Sequence, residues 1–574
     1  MKHPQTDYVR ITQKIGKHLS SLEATRKDLV PQISGDRFLE IWNEYETVTE
    51  EITRLRAFSF LWYAENTKDQ AARAFDTQVR NRLTEFSNRL LFLDLWWQGL
   101  PTSESFRLKS CAERYRYHLD TLTRYKPHTL SETEEKLLAI KNTTGKQALE
   151  SLYGIATNGF EFHWQLKRRR LRLTREQLMA YVRSPLLSVR RKAYHELFSV
   201  YHRQRDVLGE IYKNLVQDWG QEGMKLRGYS SPIAVRNLSN DIQDQVVDAL
   251  LDTCRAGALV FQQYFRLKAR LLKLSPFQRY DLYAPYVGEK ARYSFSRATQ
   301  AVMNAYRKFS PVLARLAERV FKEQHLDAAI RAGKMGGAFC YSVLPQHTPY
   351  VLMNFTGEAR DVSTLAHELG HAVHGMMAAN HSVFTFHSAL PLAETASVFG
   401  EQLLADLLLQ EEKKKTIRMS LLLNQLDDAY ATILRQAYFV QFEKQAHEMV
   451  AESATIDDLA QTYQGLLKEQ FGRAVKVPQE FQWEWLAIPH IFSSPFYCYA
   501  YSFGNLLVFS LFQQYKKEGG TFVPKYLQLL AGGGTASPQN LLEPLGVDMT
   551  SRSFWEQGFN RIRDLVTELE AAMP

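Results

Sequence analysis

The sequence predicts a mainly α-helical protein with a small β element next to one central helix. Three observations carry that expectation. Apolar residues recur at helical spacing through most of the 574 residues. Proline and glycine are sparse over long stretches, most clearly in residues 1 to about 110. Only two segments, about 153–175 and 350–355, carry strand-like patterns.

Taken in order, residues 1–110 read as long antiparallel helices. Tyr125-Lys126-Pro127-His128 breaks the pattern, and 130–152 is helical again. Phe160, Phe162, Trp164 and Leu166 then alternate, as in a strand with one buried face. Ser184-Pro185 reads as a cap and first helical turn, and helices run on to Ser275-Pro276. Tyr283-Ala284-Pro285-Tyr286 is a loop, and a helix covers 294–324. Gly333, Gly336 and Gly337 open a pliant stretch ahead of the short strand at 350–355. The central helix follows, then long helices at 392–412 and 415–452. Gly532-Gly533-Gly534 reads as a late flexible loop, and there is no internal repeat. The expected division is a helical region with a short β segment at 1–185 and a region at 186–574 that holds the central helix.

Hydrophobic content of 45% and charged content of 23% are ordinary for a soluble globular protein. No apolar run reaches eighteen residues, so no membrane helix is expected. The start, Met1-Lys2-His3-Pro4, lacks the apolar core of a signal peptide. Cys111, Cys254, Cys340 and Cys498 lie far apart without zinc or redox spacing, and read as reduced cysteines of a cytoplasmic protein. The net charge is +9, densest at Lys167-Arg168-Arg169-Arg170-Leu171-Arg172 and Arg175. A lone basic run reads as a solvated hairpin, so nucleic acid is not an expected partner. Attraction of acidic peptides is a middle possibility.

The central helix holds His367-Glu368-Leu369-Gly370-His371. Two histidines four apart lie one turn apart on the same helix face and can share one ion. Glu368, beside the first of them, can reach a metal-bound water rather than the metal. Val362, Leu365, Ala366, Leu369, Val373 and Met376 recur at helical spacing, with Asp361 or Ser363 as the cap. Catalytic zinc of this kind takes a third protein ligand, and Glu394 on the next helix is the expected one. Glu401, seven residues on, shares its face and suits the outer N–H of a ligand histidine. His374 lies a further turn along the stripe, too far for the same ion. His381 and His387, in the connecting loop, are weaker rivals.

With these residues in place, the run Tyr350-Val351-Leu352-Met353-Asn354-Phe355, then Asp361-Val362, Leu365 to His371 and Ala393-Glu394, resembles the oligoendopeptidase F branch of the thimet oligopeptidase family. Pro489-His490, followed by Phe496-Tyr497-Cys498-Tyr499-Ala500-Tyr501, looks like that family's substrate-binding segment. Weaker likeness reaches back to Arg54-Leu55-Arg56-Ala57-Phe58. The resemblance implies two helical lobes around a deep substrate channel, one Zn2+ per chain on the residues matching His367, His371 and Glu394, and hydrolysis of short oligopeptides. It also implies an edge strand that pairs with substrate backbone, which makes Gly336 and Gly337 candidate substrate contacts; a plain turn is the other reading. Tyr501 is the first candidate for donating to the developing oxyanion, His490 the second, with Tyr497 and Tyr499 as substrate contacts. Ile491-Phe492-Ser493-Ser494-Pro495 departs from the family pattern, so the division of roles among the tyrosines stays open.

The expected activity is zinc-dependent endopeptidase cleavage, with a metal-bound water as nucleophile and Glu368 as general base. Two rivals are a zinc-dependent peptide-binding protein without turnover and a zinc hydrolase of a non-peptide amide. The intact Glu368 argues against the first.

Overall fold

The computed structural model describes residues 4–166, 169–286 and 292–574. Helices dominate, as the periodicity predicts. Five short strands occur among the described residues: β1 Phe162–Leu166, β2 Arg169–Leu173, β3 Leu326–Asp327, β4 Phe339–Tyr341 and β5 Tyr350–Leu352. The chain forms two compact units of three segments each. The first comprises Met1–Glu132, Ala291–Gln410 and Tyr515–Val547; the second comprises Thr133–Lys290, Glu411–Gln514 and Asp548–Pro574. The boundary expected at residue 185 falls inside the second unit. Pairing between segments hundreds of residues apart leaves no local mark in a sequence.

In the first unit, the N-terminal region is the expected run of helices: Pro4–Ala24, Gly35–Glu65, Gln70–Gly99 and Thr102–Cys111. Side-chain caps start two of them. Ser34 Oγ accepts from Arg37 N at 3.2 Å, and Asp69 Oδ1 accepts from Ala71 N at 2.8 Å. Their core is aromatic, with Phe38, Trp42 and Trp97 sealed from solvent. Trp97 Nε1 donates to the Leu119 carbonyl at 2.9 Å, so its polar edge is satisfied inside the core. The helix expected at 294–324 is two, Phe295–Phe309 and Pro311–Lys322, divided where Ser310 caps the second. The sheet order is β3-β5-β4, with β5 parallel to β3 and antiparallel to β4. The strand expected at 350–355 is thus the short centre of this sheet.

The central helix is Ala359–Met377, and its apolar stripe is buried as predicted. The N-cap is Glu358 rather than Asp361 or Ser363; Asp361, three residues on, closes a capping box, its carboxylate accepting from the backbone N–H groups of Glu358 at 3.1 Å and Thr356 at 2.6 Å. A second helix, Thr395–Glu411, packs directly on the first. A Cβ on Gly370 would stand 2.5 Å from the Ala396 carbonyl oxygen and 2.6 Å from Ser397 Cα. A Cβ on Gly400 would stand 3.1 Å from the Ala366 carbonyl oxygen. The two glycines therefore set the spacing of the helices. Gly532-Gly533-Gly534 is not a free loop. Gly534 N–H donates to the Thr385 carbonyl at 3.0 Å, and His381 Nε2 pairs with the Ala531 carbonyl at 2.6 Å. Here glycine serves close packing rather than mobility.

In the second unit, β1 and β2 form an antiparallel hairpin. Phe162 and Trp164 are buried while His163 and Gln165 are exposed, the predicted alternation. Of the basic cluster, Lys167 and Arg168 lie outside the described residues; Arg169, Arg170 and Arg172 are exposed on β2, and Arg172 pairs with Glu161 at 3.1 Å. Ser184-Pro185 does not cap a helix. A short helix, Arg175–Tyr181, precedes it and the next begins at Leu187. The carbonyls of Ser184 and Pro185 instead accept from the buried Arg190, which pairs with Asp281 at 2.5 Å. The helix expected at 415–452 runs as Lys415–Ala429 and Arg435–Ala451, joined by a π-helical turn at Tyr430–Leu434.

Because backbone rather than flexible side chain stands where a Gly370 Cβ would go, Gly370→Ala is expected to cost about 1–3 kcal/mol or more. Gly465→Ala, on an open helix surface, should cost nothing. Chemical denaturation compares them, and equal midpoints would show that the helices part freely.

Candidate active site

Helix Ala359–Met377 presents His367 and His371 from one face, with their Nε2 atoms 3.2 Å apart. Glu394 sits at the junction between the short helix Leu390–Ala393 and helix Thr395–Glu411. Its Oε2 lies 3.3 Å from His367 Nε2 and 3.4 Å from His371 Nε2. The three atoms make a nearly equilateral triangle. A tetrahedral ion with bonds of about 2.0–2.1 Å holds its ligand atoms about 3.3 Å apart. Neutral nitrogen and carboxylate oxygen donors at this spacing fit one divalent metal ion with a fourth position left open.

The other atoms of these groups are held from behind. His367 Nδ1 pairs with Glu401 Oε1 at 2.6 Å, and Glu401 Oε2 accepts from Ser363 Oγ at 2.9 Å. With Nδ1 facing a carboxylate, Nε2 is the nitrogen turned to the triangle, where a metal ion would take its lone pair in place of a proton. Ser397 Oγ donates to Glu394 Oε2 at 2.8 Å. Burial alone would push the Glu394 carboxyl up, but the hydrogen bond and charge of His371, with His367 and Ser397, hold it at about 2. Burial likewise disfavours charge on His367, but the hydrogen bond and charge of Glu401, with Glu394 and Glu368, raise it to about 9. Glu368 is 6% exposed, and burial raises its carboxyl above the usual range.

The rival histidines are engaged elsewhere. Burial, then the charge of His371, lowers His374 to about 4, and its ring bonds to the Ala393 backbone. His381 is committed to the Ala531 carbonyl, and His387 packs on the Phe386 ring at 4.6 Å. Gly336 and Gly337 precede β4, the edge strand with β5 as its partner. Asn354 Nδ2 donates to the Met335 and Gly337 carbonyls, each at 3.0 Å, and Gly337 has φ +79°.

In the second unit, His490 lies on the short helix Pro489–Ser493, and helix Tyr499–Glu518 begins within the tyrosine-rich run. Tyr501 hydroxyl and His490 Nε2 are 3.4 Å apart. The Tyr497 ring centre is 5.2 Å from that of Tyr501 and 5.8 Å from that of His490. Tyr499 does not join them. It is fully buried, and its hydroxyl accepts from Asn240 Nδ2 at 2.7 Å. Extended chain would have set all three tyrosines on one side. The helical turn pairs Tyr497 with Tyr501, four apart, and turns Tyr499 inward. Sequence reasoning also missed Gly370 and Gly400, whose requirement for hydrogen in place of Cβ shows only once the helices are packed.

A helical fold in which two neighbouring helices supply two imidazoles and a carboxylate, with a buried glutamate beside them, defines a metallopeptidase centre. Sequence comparison agrees. The model for peptidase family M3 matches residues 180–561, and that for oligopeptidase F matches residues 105–162. The chain belongs to peptidase family M3 and is a metalloendopeptidase. It is 25% identical over 558 residues to the oligoendopeptidase F homolog of Borreliella burgdorferi, covering 94% of this chain and 92% of that one. It is 24% identical to oligopeptidase PepF of Bacillus subtilis, covering 95% and 83%. The solved oligoendopeptidase-F from Enterococcus faecium matches with a TM-score of 0.76 at 21% identity over 99% of each chain, a likeness of fold.

Glu401→Ala removes the acceptor that orients His367. Affinity for a divalent metal is expected to fall by roughly 10–100-fold with helix content unchanged. Chelator competition measures it, and unaltered affinity would remove Glu401 from the metal centre's support.

Proposed function

We propose that the protein is a zinc-dependent endopeptidase that hydrolyses internal bonds of short, unstructured oligopeptides. The observation that carries this reading is the 3.2–3.4 Å triangle of His367, His371 and Glu394 with Glu368 next in sequence to the first ligand. A zinc ion held by those three residues would supply Lewis acidity toward the scissile carbonyl and toward water. Glu368 accepts a proton from the attacking water and passes it to the departing amine nitrogen. Its raised proton affinity suits both halves of that exchange. Tyr501 donates its hydroxyl to the carbonyl oxygen as negative charge develops there, and His490 is its partner in that task. Tyr497 contacts substrate; Tyr499, bonded to Asn240, holds the segment in place instead. Gly336 and Gly337 lead into β4, whose edge is suited to pairing with an extended peptide. Substrates are peptides, in keeping with the names of the oligopeptidase relatives. Cytoplasmic location belongs to the same proposal, supported by four free cysteines. No helix of the described residues is long and apolar enough to cross a membrane.

Glu368→Gln keeps shape and polarity but accepts no proton. Turnover of a quenched fluorescent peptide should fall by roughly 10²–10⁴-fold while the metal stays bound. Activity within tenfold of the parent, or an undiminished rate after chelation, would overturn the mechanism.

Tyr501→Phe removes one hydroxyl. It should lower kcat by about a hundredfold, the usual cost of one oxyanion donor. A rise in KM at constant kcat would make Tyr501 a binding residue and move the donor role to His490.

A further inference from the structure

The turn that leads into Tyr497 and Tyr501 is gripped by side chains from two helices of the second unit. The peptide unit joining Pro495 to Phe496 is bound at both ends. Arg236 Nε donates to the Pro495 carbonyl at 3.1 Å, and Phe496 N–H donates to Glu443 Oε1 at 2.7 Å. Phe496 has φ +58°. That left-handed conformation is unfavourable for a bulky L-residue and persists only where its surroundings fix it.

Each helix adds a second contact one turn on. On Arg435–Ala451, His447 follows Glu443, and its ring packs on the Phe496 ring at 4.7 Å. On Pro232–Asn240, Asn240 follows Arg236 and binds the Tyr499 hydroxyl. Phe496, Cys498 and Tyr499 are buried by this grip. Tyr497, Tyr501 and His490 remain part exposed and face one another.

Glu443 is the member that local packing does not require. It is fully buried, its Oε2 has no hydrogen-bond partner among the described residues, and burying such a group costs free energy. Burial pushes its carboxyl up to about 8 against the pull of Phe496 N–H and Arg236. Toward Phe496 N–H it acts as a hydrogen-bond acceptor, a part that glutamine can imitate.

We propose that Glu443 and Arg236 are positioning residues for peptide hydrolysis, clamping the 495–496 peptide unit and thereby fixing the aim of Tyr501. The inference rests on the donor role given to Tyr501 above.

The test is peptide turnover by E443Q, E443L, R236M, Y501F and the double variant E443L/Y501F, with circular dichroism and thermal unfolding alongside. E443Q should stay near the parent. E443L and R236M should lower kcat by roughly tenfold or more with little change in KM, since a misplacement of about 1 Å can cost up to a hundredfold. Adding E443L to Y501F should cost little more, because both act at one point. If Y501F is impaired while E443L keeps full kcat, with or without a lower unfolding temperature, the clamp is structural only and the proposal fails. A silent Y501F would overturn the donor role and the clamp with it. Should E443L not fold, R236M, acting on the other end of the same peptide unit, decides alone.

Discussion

The candidate metal centre depends on one close approach between two helices. Gly370 and Gly400 let the backbones of Ala359–Met377 and Thr395–Glu411 meet where a Cβ would part them. Glu394 at the start of the second helix and Glu401 two turns along then lie on one side, and both reach the same imidazole. Glu394 faces His367 Nε2 and Glu401 faces Nδ1. Separation of the helices would lengthen both contacts together. The pair is also tied from outside: Tyr306 hydroxyl donates to the Ala366 carbonyl, and Tyr526 hydroxyl to the Thr395 carbonyl. Helical backbone carbonyls have a second lone pair to offer, so these tethers cost no helical hydrogen bond.

The second unit meets its positional demand differently. His490, Tyr497 and Tyr501 come from a stretch where one short helix ends, the chain turns and a longer helix begins. No repeated backbone geometry fixes such a stretch. Polar side chains of flanking helices do so instead, through Arg236, Asn240 and Glu443, and Ser502 Oγ adds a bond to the Ile433 carbonyl at 2.8 Å. The aromatic trio is therefore only as well aimed as these hydrogen bonds are rigid.

What sequence could and could not reveal follows from the range of each interaction. The central helix was legible because its stripe repeats every three to four residues, and the His-Glu-x-x-His spacing has meaning only on such a helix. Glu394 and Glu401 were legible for the same reason, seven residues apart on one face. The hairpin at 162–173 showed in its alternation. By contrast, Ser184-Pro185 carried every local mark of a cap, yet Arg190 claims both carbonyls from a buried pair with Asp281, ninety-one residues away from it in the chain. The roles of the tyrosines stayed open because a spacing of two puts all three on one side of extended chain but not of a helix, and the chain turns helical at Tyr499. The division into units was illegible for the broadest reason: each unit draws on three segments.

Three glutamates surround two histidines in the metal centre, and packing gives each a different state. Glu394 meets two imidazole nitrogens and a serine hydroxyl, which hold it ionised down to about pH 2. Glu401 is occupied at both oxygens, by His367 and Ser363. Glu368 is next to His367 in sequence, hence turned about 100° around the helix from it. That rotation carries it toward β4, where its charge is felt by the Cys340 thiol. There burial raises its proton affinity against the pull of His367 and His371, and the charges of Glu394 and Glu401 still add to it. Carboxyl groups whose proton affinities are driven apart in this way suit separate tasks, one as a fixed anion and one as the proton carrier proposed above. The helical periodicity that brings the two histidines together is thus also what sets the third group of the motif apart from them.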